Sequence, residues 1–135
     1  MKIYFSASIS GGRKYLETYK EIVRYLKSYG HYILTEHIVL DNLLELEKKL
    51  TPSSVYERDM KLLTECDAVI AEVSNPSLGV GYEICRALHL EKPTLCLFRK
   101  NIFVSWMIIG NTSPLITLGE YENKTELFIL IDKFL

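Results

Sequence analysis

The chain has 135 residues, about 0.9 of the roughly 150 that a domain averages, so it holds one domain and one core. Its 48% apolar and 24% charged residues are globular proportions, and no apolar run approaches the ~20 residues of a membrane span. Sixteen basic and seventeen acidic side chains, spread evenly along the chain, leave a net charge of -1, which excludes long nucleic acid and anionic membrane surfaces as natural partners.

Lys2 to Phe5 is a short β-prone run that stops at Ser8-Ile9-Ser10-Gly11-Gly12. Beyond it Tyr15, Ile22, Val23, Leu26 and Tyr29 recur at helical spacing until Gly30 ends the helix. His31 to Leu34 predicts a second strand, and Leu43, Leu44, Leu46 and Leu50 predict a short helix before Thr51-Pro52. Ser54 with Glu57 three residues on is a capping-box pattern, and the helix it opens carries Val55, Asp59, Leu62 and Leu63 on one side. Ala68 to Val73 is a nearly continuous apolar run suited to a strand covered on both faces.

The loop Ser74 to Gly81 then feeds a helix from Tyr82 to Leu90. Thr94 to Phe98 is another buried strand, Val104 to Ile109 a short helix, Leu115 to Thr117 a last strand, and Lys124 to Phe134 a closing amphipathic helix. Repeated strand–helix units, with no internal repeat and no linker, predict a single α/β domain over 1–135: an open parallel sheet with helices on both faces. Such sheets bind ligands at the carboxyl ends of their strands. The chain opens directly into a strand-like run, without the apolar core of a secretory leader. Cys66, Cys85 and Cys96 lie in apolar neighbourhoods without a CxxC pair and are expected to be reduced, buried thiols of a cytoplasmic protein.

Two Gly-rich loops carry unusual chemistry. Ser8-Ile9-Ser10-Gly11-Gly12-Arg13 offers hydroxyls, flexible backbone and an arginine at a helix start, parts that suit a small anion; two glycines also make an ordinary tight turn. It is neither a Walker A loop nor a GxGxxG fingerprint. In Ser77-Leu78-Gly79-Val80-Gly81-Tyr82-Glu83 the glutamate shares a helical stripe with Val80, Ile84, Ala87 and Leu88. It is either a carboxylate in an apolar wall, where catalytic acids and nucleophiles concentrate, or a first-turn residue facing water.

Asp59 poses the same choice, inward among aliphatic neighbours or outward in an ion pair with Arg58 or Lys61. Two close carboxylates are the equipment of retaining glycosyl chemistry. Tyr4, at the end of the first strand, either orients such an acid or is simply core. Asp67 reads as the end of a turn, and Glu72 inside its strand has no explanation in the pattern. His31, His37 and His89 lack metal-ligand spacing. Trp106 and Met107 suit core or a subunit interface, with stacking on a base as the sharper alternative.

Taken together, Tyr4 to Arg13, Thr35-Glu36-His37, Asp59, Asp67 to Val73 and Asn75 to Glu83 resemble the nucleoside 2-deoxyribosyltransferase superfamily, a similarity that runs from Lys2 to the closing helix. The resemblance implies a Rossmann-like or flavodoxin-like homodimer, with a shared active site and no cofactor or metal, that hydrolyses the N-glycosidic bond of 2'-deoxynucleoside 5'-monophosphates. Glu83 matches the nucleophile of a covalent sugar intermediate, Asp59 an assisting acid, and Tyr4 the tyrosine beside them. The carboxyls of such a retaining pair stand roughly 5 Å apart. Substrate and phosphate contacts are implied for Ser6, Ala7, Ser8, Ile9, Ser10, Gly11, Gly12 and Arg13, for Ser77 and Gly79, and for Met107 and Ser105, the serine being lent to the neighbouring subunit's site. Ser10 replaces an arginine of the family's loop. The nearest rival is base exchange on unphosphorylated deoxynucleosides, and a third possibility is a nucleotide-binding module without catalysis.

Overall fold

Apolar runs become strands and amphipathic runs become helices along the whole chain. A computed structural model, which describes residues 1–135, gives β1 (Lys2–Ala7), α1 (Leu16–Ser28), β2 (Tyr32–Ile33), a 3-10 turn (Glu36–Val39), α2 (Leu43–Glu47), α3 (Pro52–Glu65) and β3 (Ala68–Glu72). There follow α4 (Leu78–His89), β4 (Thr94–Arg99), α5 (Trp106–Ile109), β5 (Ile116–Tyr121) and α6 (Lys124–Phe134). All five strands are parallel, in the order β2-β1-β3-β4-β5. The winding direction therefore reverses between β1 and β3, and the loops that leave these strands diverge to open a crevice.

Side-chain alternation in the strands divides the core. Ile3, Phe5, Ile70, Leu95 and Leu97 pack against Tyr19, Ile22 and Leu26 of α1 and Leu127 and Ile131 of α6. Their strand neighbours Tyr4, Val69, Ala71 and Cys96 face the other way, onto Leu63 of α3 and Val80, Ile84 and Ala87 of α4. Each such aliphatic side chain contributes about 1.5–3 kcal/mol on full burial. No helix is long and apolar enough to cross a membrane.

The elements depart from the sequence pattern where side chains replace backbone partners. β2 is only two residues long because Thr35, fully buried, takes over the ladder: its hydroxyl accepts from Phe5 N and donates to Phe5 O. α3 is capped by Thr51 paired with Ser54, not by Ser54 with Glu57, since Pro52 with its fixed φ starts the helix early. α4 begins at Leu78 rather than Tyr82; the Ser77 hydroxyl accepts from Val80 N, and burial of Val80 outweighs the poor helix propensity of Gly79 and Gly81. β5 extends to Tyr121.

Exposure corrects one further expectation, for a cysteine, and shows how two of the patterns are used. Cys66 and Cys96 are buried, and burial pushes the Cys96 thiol up to about 12, but Cys85 points to solvent from the outer side of α4. Of Leu43, Leu44, Leu46 and Leu50 only Leu43 is buried, because a helix this short presents a single residue to the core. Tyr29 is exposed at the end of α1, beyond the packed stripe.

Candidate active site

Tyr4 and Ser6, two residues apart in β1, share the face that meets α4. Both are fully buried, and both reach Glu83 in the second turn of α4. Tyr4 Oη donates to Glu83 Oε1 at 2.8 Å and Ser6 Oγ donates to Glu83 Oε2 at 2.5 Å. Burial pushes the Glu83 carboxyl above its ordinary range; the two hydroxyl donors pull it back, the Asp59 charge adds to the rise and the Arg58 charge opposes it. The Tyr4 phenol is raised too, first by burial and then by the charges of Glu83 and Asp59, so it remains a protonated donor. Glu83 is thus an inward carboxylate, not a solvated first-turn residue, and Tyr4 is both core and hydrogen-bond donor.

Asp59 satisfies both halves of its sequence alternative. Arg58 Nε donates to Asp59 Oδ1 at 2.8 Å, and the same guanidinium lies 3.6 Å from Glu47 Oε1. Yet Asp59 is only 18% exposed and within electrostatic reach of Tyr4 and Glu83, and its Oδ2 takes no hydrogen bond from the chain. His37 borders this group: burial lowers its pKa, Arg58 lowers it further and Asp59 opposes. No three His, Cys, Asp or Glu side chains gather as metal ligands.

The loop after β1 forms the second wall. A Cβ on Gly11 would stand 2.7 Å from Pro76 O and 2.8 Å from Ser8 Oγ, and Gly12 has φ +113°, so both positions need glycine. Asn75 clamps this loop to the one after β3. Its Nδ2 donates to Gly12 O at 2.7 Å and also approaches Gly11 O at 3.3 Å and Ser8 Oγ at 3.2 Å. Ser10, Gly11, Gly12 and Gly79 face solvent, while Ala7 and Ile9 back the loop against the core.

Arg13 is not at the helix start, since α1 begins at Leu16. Its guanidinium donates to Leu40 O at 2.6 Å and to Ile38 O, tying the loop to the 3-10 turn. Ser105 caps α5, its hydroxyl accepting from Met107 N at 3.3 Å, and makes no hydrogen bond to the Glu83 group. Phe103, Trp106 and Met107 are 72%, 80% and 82% exposed, so this segment is surface, not core.

Two other acids acquire explanations. Asp67 Oδ2 accepts from Lys2 N at 2.7 Å and pins the start of β1. Glu72 is fully buried on the opposite face of the sheet from Glu83, accepting from the hydroxyls of Ser74 and Tyr121, and burial raises its pKa. Asn75, Arg58 and His37 were not singled out by spacing. For Asn75 the available signal was an amide immediately before a proline in a loop already suspected of ligand contact.

The family model for nucleoside 2-deoxyribosyltransferase matches residues 3–114. Over 133 residues the chain is 44% identical to a Methanosarcina mazei protein that bears the name of 2'-deoxynucleoside 5'-phosphate N-hydrolase 1, covering 98% of this chain and 83% of that one. It is 43% identical over 126 residues to the 5-hydroxymethyl-dUMP N-hydrolase of Danio rerio, covering 90% of this chain and 87% of that one. Among solved structures, a Clostridium botulinum CMP N-glycosidase shares the fold with a TM-score of 0.73 at 18% identity, covering 98% of this chain and 99% of that one.

Proposed function

Since the chain belongs to the nucleoside 2-deoxyribosyltransferase family, we propose that it hydrolyses the N-glycosidic bond of 2'-deoxynucleoside 5'-monophosphates, releasing free base and 2-deoxyribose 5-phosphate. The observation that carries this reading is the Glu83 carboxylate, held at the crevice by Tyr4 and Ser6 with Asp59 in electrostatic reach. The names of the relatives from Methanosarcina mazei and Danio rerio support the substrate class.

The chemistry follows from the two carboxyls. Glu83 attacks C1' as the C1'–N bond breaks; the electron pair leaves on the base, which takes up a proton that Asp59 relays from water through its unencumbered Oδ2. Water then adds to C1', the C1'–O bond to Glu83 breaks with its pair returning to the carboxylate, and Asp59 relays the proton lost by this water back to the hydroxide left by the first step. A 2-deoxy sugar lacks the electron-withdrawing 2'-hydroxyl, so its oxocarbenium-like transition state forms readily and a positioned carboxylate suffices as partner.

The phosphate lies against the 8–13 loop and the Ser77 cap, where hydroxyls and main-chain amides supply donors without a basic patch. Arg13, with donors committed to Leu40 and Ile38, shapes that loop. The exposed apolar segment of Phe103, Trp106 and Met107 meets a second copy, which brings Ser105 and Met107 to the neighbour's phosphate site.

One assay tests the reading. Purified protein is incubated with the four deoxynucleoside monophosphates, the matching nucleosides and the ribonucleotides, with and without a second free base. Base release confined to deoxynucleoside monophosphates is expected, and Glu83→Gln abolishes it with the fold intact. Exchange on nucleosides would instead establish the transferase activity that the family description carries. Ser105→Ala weakens monophosphate use if sites are shared across a dimer; an unchanged KM refutes that part.

A further inference from the structure

Ser6 stands among residues whose resemblance implies contact with substrate, but its place in the fold points elsewhere. It is fully buried in β1, the strand between β2 and β3, and its neighbour across the ladder is Ala71. Its one hydroxyl proton is committed at 2.5 Å to Glu83 Oε2. Tyr4, the next residue on the same strand face, holds the other oxygen at 2.8 Å. The backbone between them is fixed in turn, because Thr35 bonds both N and O of Phe5.

We propose that Ser6 is a positioning residue for the nucleophile: with Tyr4 it forms a two-pronged holder on one face of β1 that fixes both oxygens of the Glu83 carboxylate and the plane in which they lie. The proposal rests on the hydrolase reading for its chemical consequences, while the holder itself is a matter of geometry.

Those consequences differ between the two half-reactions. In the first, Glu83 has to be an anion in a half-buried place, and a hydroxyl donor favours the anion over the neutral acid while slightly reducing its intrinsic nucleophilicity. In the second, the bond from C1' to Glu83 breaks and the electron pair returns to the carboxylate, so a donor on that carboxylate stabilises the leaving group. Loss of the Ser6 hydroxyl therefore raises the pH needed to ionise Glu83 and slows breakdown of the covalent intermediate more than its formation. A residue that merely fills space at this point has neither effect.

The test is a series of small side chains at this position, Ser6→Cys with a weak donor and Ser6→Ala with none. The ionisation of Glu83 is followed without turnover, by carbon-13 NMR of side-chain-labelled glutamate, with Glu83→Gln identifying the resonance. A hydrogen bond to a charged group shifts such an ionisation upward by about 1–2 pH units when lost. The expected order is therefore wild type lowest, Ser6→Cys between and Ser6→Ala highest. The acid limb of kcat/KM on a deoxynucleoside monophosphate moves in the same order, and rapid-quench mass spectrometry shows more glycosylated Glu83 in the variants.

An unmoved Glu83 titration in folded Ser6→Cys and Ser6→Ala overturns the assignment, whatever happens to the rate. Should Ser6→Ala fail to fold, Ser6→Cys alone decides by the same shift. A shifted titration in a protein that releases no base from any nucleotide upholds the holder and refutes the hydrolase reading, so the two fail separately.

Discussion

Asn75 ties the two loops of the crevice together with one side chain, and replacing it by alanine separates their anchoring from the chemistry. The variant loses a 2.7 Å hydrogen bond to Gly12 O and the longer contacts to Gly11 O and Ser8 Oγ. One good neutral bond with weaker company is worth about 1–2 kcal/mol net, which is a factor of about 5–30 in the population of the ordered loop. Affinity falls by the fraction of molecules no longer competent to bind. The KM for deoxynucleoside monophosphates accordingly rises, by up to about 5–30-fold, with kcat nearly unchanged, since Asn75 touches neither Glu83 nor Asp59. Asn75→Asp does worse, because its carboxylate faces the carbonyls of Gly11 and Gly12 and repels a bound phosphate. Steady-state kinetics on a monophosphate and its nucleoside, with thermal melts to check the fold, provide the assay. Equal losses on both substrates, or an unchanged monophosphate KM in a folded variant, would refute the reasoning.

Other substitutions read other parts of the same architecture. Gly11→Ala forces a methyl to within 2.7 Å of Pro76 O, so the loop gives way; monophosphate turnover is lost while the melting temperature changes little, and full activity would overturn the steric argument. Tyr4→Phe keeps the buried ring but removes the donor to Glu83 Oε1, which raises the Glu83 pKa further and moves the acid limb of kcat/KM up by about 1–2 pH units; an unshifted limb contradicts it. Glu72 has its native pKa raised by burial above the unfolded value of about 4.3. Its stabilising contribution is therefore complete below that unfolded value and is lost as pH rises through the native one. Glu72→Gln removes this loss, so urea midpoints of the variant gain on wild type as pH rises above the unfolded value; a difference that stays constant with pH contradicts the sign.

Most of the fold was legible because its signals are local and repeated. α6 spans Lys124–Phe134 as its periodicity says, and Gly30, with φ +81°, follows α1 where a left-handed residue was called for. Local signals misled where two of them competed. Ser54 and Glu57 made a plausible cap, but Pro52 set the helix start three residues earlier and left Thr51 as cap. Gly79 and Gly81 read as loop, yet Ser77 caps the helix ahead of them. Within the site, the stripe around Glu83 and the alternation through Tyr4 were readable, whereas the anchoring bonds of Arg13 and Asn75 were not, because their partners at Ile38, Leu40 and Gly12 are main-chain carbonyls. Every residue type offers that group, so no pattern announces the pairing. Ser6 was placed in the right neighbourhood, but its bond to Glu83 was not readable, since a strand residue's orientation is periodic but the group opposite it comes from another part of the chain.

The holder on Glu83 joins residues 79 and 77 positions apart. Loops of that size close late and at high entropic cost, after β1 has found β3 and the helix carrying Glu83 has docked. No fragment ending before α4 can contain an assembled nucleophile, and freeing the carboxylate from Tyr4 and Ser6 means undocking α4 from the central strands. Hydrogen exchange at Ile84 and Ala87 consequently reports on catalytic competence, and a newly synthesised chain gains its reactive group only when folding is essentially complete, with little chance of premature chemistry on a half-formed site.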